Sequence, residues 1–167
     1  MVCRRKERGF TLIELLMVVA IIGILAAIAI PNLIAALQRA KQKKTMMNIR
    51  NLATAWEARA SDYSKYNAAG INGADVPVPT ADLADVLEPT YIKAMPKKDG
   101  WERDLSLYAE FALTDTAIAQ RYAITSAGRD GSYEATPAPG SFAASEFDCD
   151  IIFSNGQFIT FPVGSGG

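Results

Sequence analysis

From Leu15 to Ile30 the chain runs through sixteen residues without a polar side chain, and between Phe10 and Ile30 only Thr11 and Glu14 interrupt the apolar pattern. Wound as a helix, those 21 residues reach roughly 31 Å, the thickness of a bilayer's hydrocarbon core. After Pro31 the pattern becomes one-sided. Leu33, Ile34, Leu37, Met46, Ile49, Leu52, Ala53, Trp56, Ala60 and Tyr63 mostly recur at three- and four-residue steps, which makes one apolar stripe. The spacing predicts a single helix from Phe10 to about Ser64, its first half in lipid and its second half against a sheet.

The remaining two thirds of the chain read as short elements. Asn67 to Pro79 is rich in Gly, Asn, Ala and Pro and reads as a loop. Thr80 is expected to cap a short helix, Ala81 to Leu87, which Pro89 ends. Pro96 to Trp101 is turn-like, with Trp101 expected to pack. Leu105, Leu107, Ala109, Phe111 and Leu113 alternate with polar or amphipathic residues, the pattern of a half-buried strand. Arg121 to Thr125 reads as its partner, with Tyr122 and Ile124 on one face. Asp150 to Phe153 and Gln157 to Phe161 flank Asn155-Gly156, a strong hairpin signal. A long N-terminal helix packed on a C-terminal antiparallel sheet is an α+β arrangement.

Composition narrows the chemistry. The 167 residues contain no histidine, which removes His-based acid–base catalysis, Ser-His triads and His metal sites together. No Gly-x-Ser-x-Gly, P-loop or Gly-x-Gly-x-x-Gly pattern occurs. Seventeen basic and 18 acidic residues nearly cancel, so no overall charge favours a polyanion. The local cluster Arg39, Lys41, Lys43 and Lys44 lacks interleaved aromatics; nucleic acid is not an expected partner, and the cluster reads as a solvated face near headgroups or a set of ion-pair partners. Arg4, Arg5, Lys6 and Arg8 precede the apolar run, which places the N-terminus in the cytoplasm and the rest of the chain outside; Arg39 to Lys44 argues mildly the other way.

Three readings of the N-terminus compete. A cleaved secretory signal would use Ala27-Ile28-Ala29 as its small-residue site, and an uncleaved signal anchor would simply hold a globular domain. Both leave Glu14 unexplained, although a carboxylate in a lipid-facing helix is costly and needs a partner. A cut between Gly9 and Phe10 supplies one: it creates an α-amine one helical turn before Glu14. In that order of residues, Arg8-Gly9-Phe10-Thr11-Leu12-Ile13-Glu14, the sequence resembles the type IV pilin-like proteins. The resemblance implies a leader ending at Gly9, an often N-methylated Phe10 and a Glu14 that meets the Phe10 amine of a neighbouring subunit. It extends to Gly23 and Pro31, where it implies a helix that unwinds when subunits pack into a filament.

Two further segments are similar to the major pseudopilins of type II secretion. Pro96-Lys97-Lys98-Asp99-Gly100-Trp101 resembles a Pro-Lys-Asp-Pro-Trp-Gly segment, departing from it at Lys98, Gly100 and Glu102. Ser126-Ala127-Gly128-Arg129-Asp130-Gly131 resembles a Ser-x-Gly-x-Asp-Gly loop that, with an Asp before the next strand, holds calcium. Asp130, Asp148 and Asp150 are then the candidate ligands, with backbone carbonyls near Ile124 and Ser126 and with Glu134 and Glu146 as weaker substitutes. The insertion from Ser132 to Phe147 departs from the family loop, and an ordinary Asp-Gly turn stays open as the alternative. Cys3 would leave with the leader, and Cys149 reads as a packed thiol.

The resemblance implies a leader at 1–9, a transmembrane and filament-core helix at 10–31, and the amphipathic half of that helix at 32–66. A loop and short helix follow at 67–104, then the sheet with its calcium loop at 105–167. The expected protein is a structural subunit, a type II secretion pseudopilin rather than an enzyme. A prepilin peptidase would process it in the bacterial inner membrane, and an assembly platform would polymerise it with itself and minor pseudopilins. A type IV pilin for adhesion, motility or DNA uptake, and a membrane-anchored extracytoplasmic binding domain or enzyme, remain the alternatives.

Overall fold

A computed structural model of the chain describes residues 9–63, 76–109, 121–134 and 138–164. The chain divides into two compact units, Met1–Leu37 and Gln38–Gly167. Helix α1 (Leu12–Asp62) supplies residues to both.

In the first unit every large apolar side chain from Leu12 to Leu37 is exposed, Val18 least so at 46%. An 18-residue window of α1 reaches mean hydropathy 2.9, and α1 is the one helix among the described residues long and apolar enough to cross a membrane. A continuous apolar surface of this extent has a solvent other than water. Pro31 sits inside the helix, where it removes a backbone donor. On the same turn the Asn32 side chain donates to the Ile28 carbonyl at 3.1 Å.

In the second unit α1 buries Gln42, Thr45, Met46, Ile49, Leu52, Ala53, Ala55, Trp56 and Ala60. The stripe that faces the core is therefore shorter than the periodicity predicts. Leu33, Ile34 and Leu37 are 60%, 53% and 55% exposed, and Tyr63 is also exposed. Helical spacing reports only that apolar residues share a face; it does not say whether protein or lipid covers that face.

Among the described residues six strands form one sheet: β1 (Val76–Pro77), β2 (Ser106–Ala109), β3 (Tyr122–Ser126), β4 (Gly140–Phe142), β5 (Ile151–Ser154) and β6 (Gln157–Pro162), in the order β1-β2-β3-β5-β6-β4. All neighbours pair antiparallel except β4 and β6, which are parallel. The alternation in β2 is realised, with Leu105, Leu107 and Ala109 buried; Phe111 and Leu113 lie outside the described residues, as do residues 67–75 of the expected Asn67–Pro79 loop, whose last residues instead carry β1, which pairs with the edge of β2. Central strand β3 is buried along its whole length, with Tyr122 and Ile124 at 2% and 0% exposure. Asn155 and Gly156 both take positive φ, 49° and 84°, which lets two residues close the β5–β6 hairpin with the right twist.

Helix α2 (Thr80–Leu87) buries Leu83, Ala84 and Leu87. Its N-cap is Pro79 and no side chain caps it, so Thr80 is the first helical residue rather than the cap expected. The core joins α1, α2 and the sheet through Ile49, Leu52, Trp56, Leu83, Leu87, Ile124 and Ile151, all fully buried. Burying a side chain of this size contributes about 1.5–3 kcal/mol. Trp56, Tyr122, Phe153 and Phe158 extend it as an aromatic row, with centroid separations of 5.2, 6.2 and 4.9 Å.

The turn from Lys97 to Leu105 ties α1 to the sheet. Asp99, only 1% exposed, accepts the Trp101 and Arg103 backbone N–H groups at 2.8 and 2.9 Å on one carboxylate oxygen and the Ser126 hydroxyl at 2.8 Å on the other. The next residue, Gly100, donates its N–H to Thr45 Oγ1 at 2.8 Å, and Thr45 in turn donates to the Lys41 carbonyl at 3.0 Å. Trp101 is half-buried, its indole N–H donating to Gln38 Oε1 at 2.7 Å. Glu102 adopts φ 64° where the resembling segment has Gly, and its carboxylate meets Lys44 Nζ at 3.0 Å. A Cβ at Gly100 would collide with the Lys41 backbone oxygen and lie 2.7 and 2.8 Å from its C and Cα. Gly100→Ala is therefore expected to destabilise the fold by at least about 2 kcal/mol in chemical denaturation of the detergent-solubilised chain, read by tryptophan fluorescence.

Candidate functional site

Two segments singled out by the sequence are the start of α1 and the loops around β3 and β5. At the first, Gly9 and Phe10 precede the helix and are exposed, Phe10 at 72%. Glu14 has a local partner that the sequence reading did not assign. Its Oε2 accepts the Thr11 backbone N–H at 3.1 Å and the Thr11 hydroxyl at 2.9 Å, while the Glu14 N–H donates to Thr11 Oγ1 at 3.3 Å. This is a capping box, two side chains reciprocally satisfying backbone donors that a helix start leaves unpaired. The signal was legible as Thr-x-x-Glu directly before an apolar run. It shows how a carboxylate can be carried at the head of an apolar helix before any neighbour arrives. Gly23 and Pro31 both lie within intact helix, and a Cβ at Gly23 would meet nothing within 4 Å.

At the second segment the structure does not gather the three candidate carboxylates. Among the described residues no three acidic or thiol side chains stand close enough to hold a metal together. Asp148 is occupied: Arg129 donates from Nε to Oδ1 at 2.8 Å and from its terminal nitrogen to Oδ2 at 2.5 Å. This two-point contact holds the Asp148 carboxyl below the usual carboxylate range and the Arg129 guanidinium above its own. Arg129 stands at a variable position of the Ser-x-Gly-x-Asp-Gly pattern, where the order of residues carries no signal for its pairing. Its backbone N–H donates to the Phe147 carbonyl at 2.8 Å, and a Cβ at neighbouring Gly128 (φ 62°) would lie 2.9 Å from the Phe147 and Cys149 carbonyl oxygens. Only glycine permits that approach in that conformation. Ile124 sits in the middle of β3 with strands paired on both sides, so its backbone belongs to the ladder. Ser126 ends the strand, its side chain committed to Asp99.

Asp150 differs from Asp148. It is 3% exposed; Oδ2 accepts the Glu134 N–H at 2.9 Å, while Oδ1 is buried and has no hydrogen-bond partner among the described residues. Burial pushes its carboxyl up, and the charges of Glu134 and Asp130 add to that, against the opposing Glu134 N–H bond. Asp130 is exposed, and its Oδ1 accepts the Ser132 N–H at 3.1 Å in an Asx turn. A cavity of about 200 Å³ beside Asp150 is lined by Glu134, Ser141, Phe142, Cys149 and Thr160. Glu146 is turned to its own loop, accepting the Ala143 N–H at 2.9 Å. Cys149 is half-buried, and burial together with the charges of Glu146, Glu134, Asp150 and Asp148 pushes its thiol up, which disfavours the thiolate.

Comparison with known proteins bears on both segments. Residues 4–30 match the family model described as the prokaryotic N-terminal methylation motif. The chain is 31% identical over 129 residues to the type II secretion system core protein G of Vibrio cholerae, covering 76% of this chain and 86% of that protein. Against the core protein G of Escherichia coli K12 the figures are 31% over 129 residues, covering 75% and 84%. It is 53% identical over 62 residues to the type IV major pilin protein PilA of Myxococcus xanthus, which covers 37% of this chain and 28% of that one. No solved structure matches.

The capping box yields a test that separates its two members. Thr11→Ala is expected to fray the first turn of α1, weakening the helix start by about 1 kcal/mol, whereas Glu14→Gln keeps the reciprocal bond because glutamine serves at that position. Amide hydrogen exchange of residues 12–15 in detergent should accelerate several-fold in the first variant and stay near wild type in the second.

Proposed function

The chain belongs to the type II secretion system core protein G family, and from that membership we propose how its parts serve assembly. It is a pseudopilin, a structural subunit whose family is not enzymatic, with an N-terminal apolar helix suited to an inner-membrane anchor and to a filament. Prepilin peptidase cuts between Gly9 and Phe10 and the new amine is methylated. The cut removes the basic leader and leaves a cation one turn before Glu14. In the membrane the carboxylate is held by Thr11; in the filament it exchanges that bond for the Phe10 amine of the neighbouring copy, which fixes the axial register. Gly23 and Pro31 are where the helix loosens as copies pack, since one lacks a side chain to pack and the other lacks a donor.

The N-terminus lies in the cytoplasm and the second unit in the periplasm. An inner-membrane platform adds subunits to a pseudopilus that minor pseudopilins begin, and the growing filament moves exoproteins outward mechanically. The observation that carries this reading is coverage: the relationship to core protein G extends over most of the chain, whereas that to PilA covers 37% of it.

Calcium is part of the proposal in a reduced form. Asp150 holds the ion through its unpaired oxygen, with Asp130 as the second carboxylate, and Asp148 is left to Arg129. When bound, the ion would neutralise a carboxylate that burial otherwise disfavours and would draw the loops on either side of β4 together.

Three measurements test these readings. The intact mass of the membrane-extracted protein should show loss of residues 1–9 plus one methyl group only in cells with the peptidase. Glu14→Gln should be processed and keep its helix start yet form no filament. A full-length mass, or filaments from Glu14→Gln, would defeat the register role. For calcium, the melting temperature of the wild type should rise with calcium and fall with chelator, and Asp148→Asn should keep that response while Asp150→Asn loses it. An unchanged wild-type melting temperature at saturating calcium would remove the ion from the account.

A further inference from the structure

Arg39 and Lys43 stand four residues apart on α1, and therefore on one face, about 5–6 Å between Cβ atoms. Together they line a cavity of about 220 Å³ whose other walls are Gln42, Ala144, Pro162 and Val163. The other two lysines of the basic cluster do not line it: Lys44 is paired with Glu102, and the Lys41 backbone packs under Gly100. Neither Arg39 nor Lys43 has a carboxylate at ion-pair distance among the described residues.

The walls are fixed from behind. Gln42 is 2% exposed and its amide donates to the Glu146 carbonyl at 2.9 Å, which pins the 143–146 turn against the helix. On the other side the Val163 N–H donates to the Phe142 carbonyl at 2.7 Å, continuing the parallel β4–β6 pairing. Val163 nevertheless leaves 56% of its surface exposed at the rim. The cavity thus offers a guanidinium and an ammonium facing an apolar wall, a lining that suits an anion carried on an apolar body.

Its place in the chain limits what that body is. Arg39 follows Leu37, the last residue of the exposed apolar stretch, by two positions and Lys43 by six. At no more than about 3.6 Å per residue, connectivity alone keeps both within roughly 20 Å of the point where that stretch ends. We propose that this cavity binds the phosphate group of an anionic phospholipid headgroup, with Arg39 as the two-pronged donor and Lys43 as the point charge, the glycerol end resting on Val163. The proposal rests on the reading of residues 10–31 as a membrane anchor. It gives the unassembled subunit a specific contact at the bilayer surface, which extraction into a filament must break.

The test uses the full chain in vesicles of phosphatidylcholine alone or mixed with phosphatidylglycerol, followed by native mass spectrometry of the lipid that stays bound after transfer to detergent. The wild type is expected to retain phosphatidylglycerol in preference to phosphatidylcholine, and the double variant R39Q/K43Q to lose that preference by roughly tenfold. The variant K41Q/K44Q, with the same loss of charge, is expected to keep it. Equal loss in both variants would mean diffuse surface charge and would overturn the proposal. Unchanged retention in R39Q/K43Q with loss of self-association would assign the two cations to a neighbouring copy and overturn it as well. Titration of inorganic phosphate into the lipid-free chain separates the source: saturable binding that R39Q/K43Q abolishes, without headgroup preference in the lipid arm, would keep the phosphate site and overturn its assignment to lipid. A wild-type chain that fails to float with vesicles would defeat the anchor reading and the proposal with it, whereas a chain that floats without lipid preference defeats the proposal alone.

Discussion

The second unit depends on one buried carboxylate. Asp99 is taken out of water, which is affordable only because its oxygens accept three short hydrogen bonds, two from the turn that contains it and one from Ser126 at the end of β3. With Asp99 fixed, Gly100 must lie against α1, where its N–H finds Thr45 and its missing Cβ leaves room for the Lys41 backbone. The helix, the turn and the central strand are thereby held in one register, and the apolar surfaces of Ile49, Leu52 and Trp56 meet those of Ile124 and Ile151 as a consequence. Glu102 shows how much the turn is determined by these contacts. It holds a left-handed backbone conformation without being glycine, a strain of roughly 1 kcal/mol or more that the surrounding bonds sustain.

The α+β arrangement was legible because its signals are local and redundant. The apolar run, the helical stripe, the alternation through Leu105, Leu107 and Ala109 and the Asn155-Gly156 turn each name one element, and each is present. What was not legible was non-local or weak. Strand β4 has three residues, Gly140 to Phe142, in a stretch rich in Pro, Ala and Ser, and it exists only because β6 offers it a parallel edge. Leu33, Ile34 and Leu37 share the stripe's period but are not covered by the core, since periodicity is blind to what lies opposite. At the site, Gly9, Phe10 and Glu14 could be named from order alone, whereas the pairing of Arg129 with Asp148 could not. It needs the loop after β3 and the loop before β5 to meet, which is set by Gly128 closing on the Phe147 and Cys149 carbonyls.

One helix serves two solvents, and its polar residues mark the transitions. Thr11 and Glu14 satisfy each other at its head, where water is lost first. Arg39 and Lys43 stand just past the apolar stretch, where charge is again tolerated. Between them the polar side chains are Asn32, which bonds its own helix at Ile28, and Gln38, which accepts the Trp101 indole N–H. A segment so built has no preference for one neighbour's side chains over lipid, because both are apolar. Selectivity in packing must therefore come from the few polar groups at its ends, and Glu14 is the only carboxylate in that stretch.

The two acidic positions near β5 illustrate how a cation requirement is divided. Asp148 and Asp150 are separated by one residue, yet one meets a cation built into the chain and the other does not. Arg129 comes from the loop that closes against them, so Asp148 is neutralised at the surface whatever the ionic composition of the medium. Asp150 lies deeper, against β6, where Thr160 donates to its carbonyl at 2.8 Å and, among the described residues, no guanidinium reaches its Oδ1. A buried anion without a partner is unfavourable, and it is relieved by protonation or by a mobile cation. In the periplasm, where this unit is proposed to reside, the pH is set outside the protein, and a mobile cation is the route that can hold a loop as well as neutralise a charge. The guanidinium secures one end of the 132–147 insertion, and the proposed ion would be its conditional counterpart at the other.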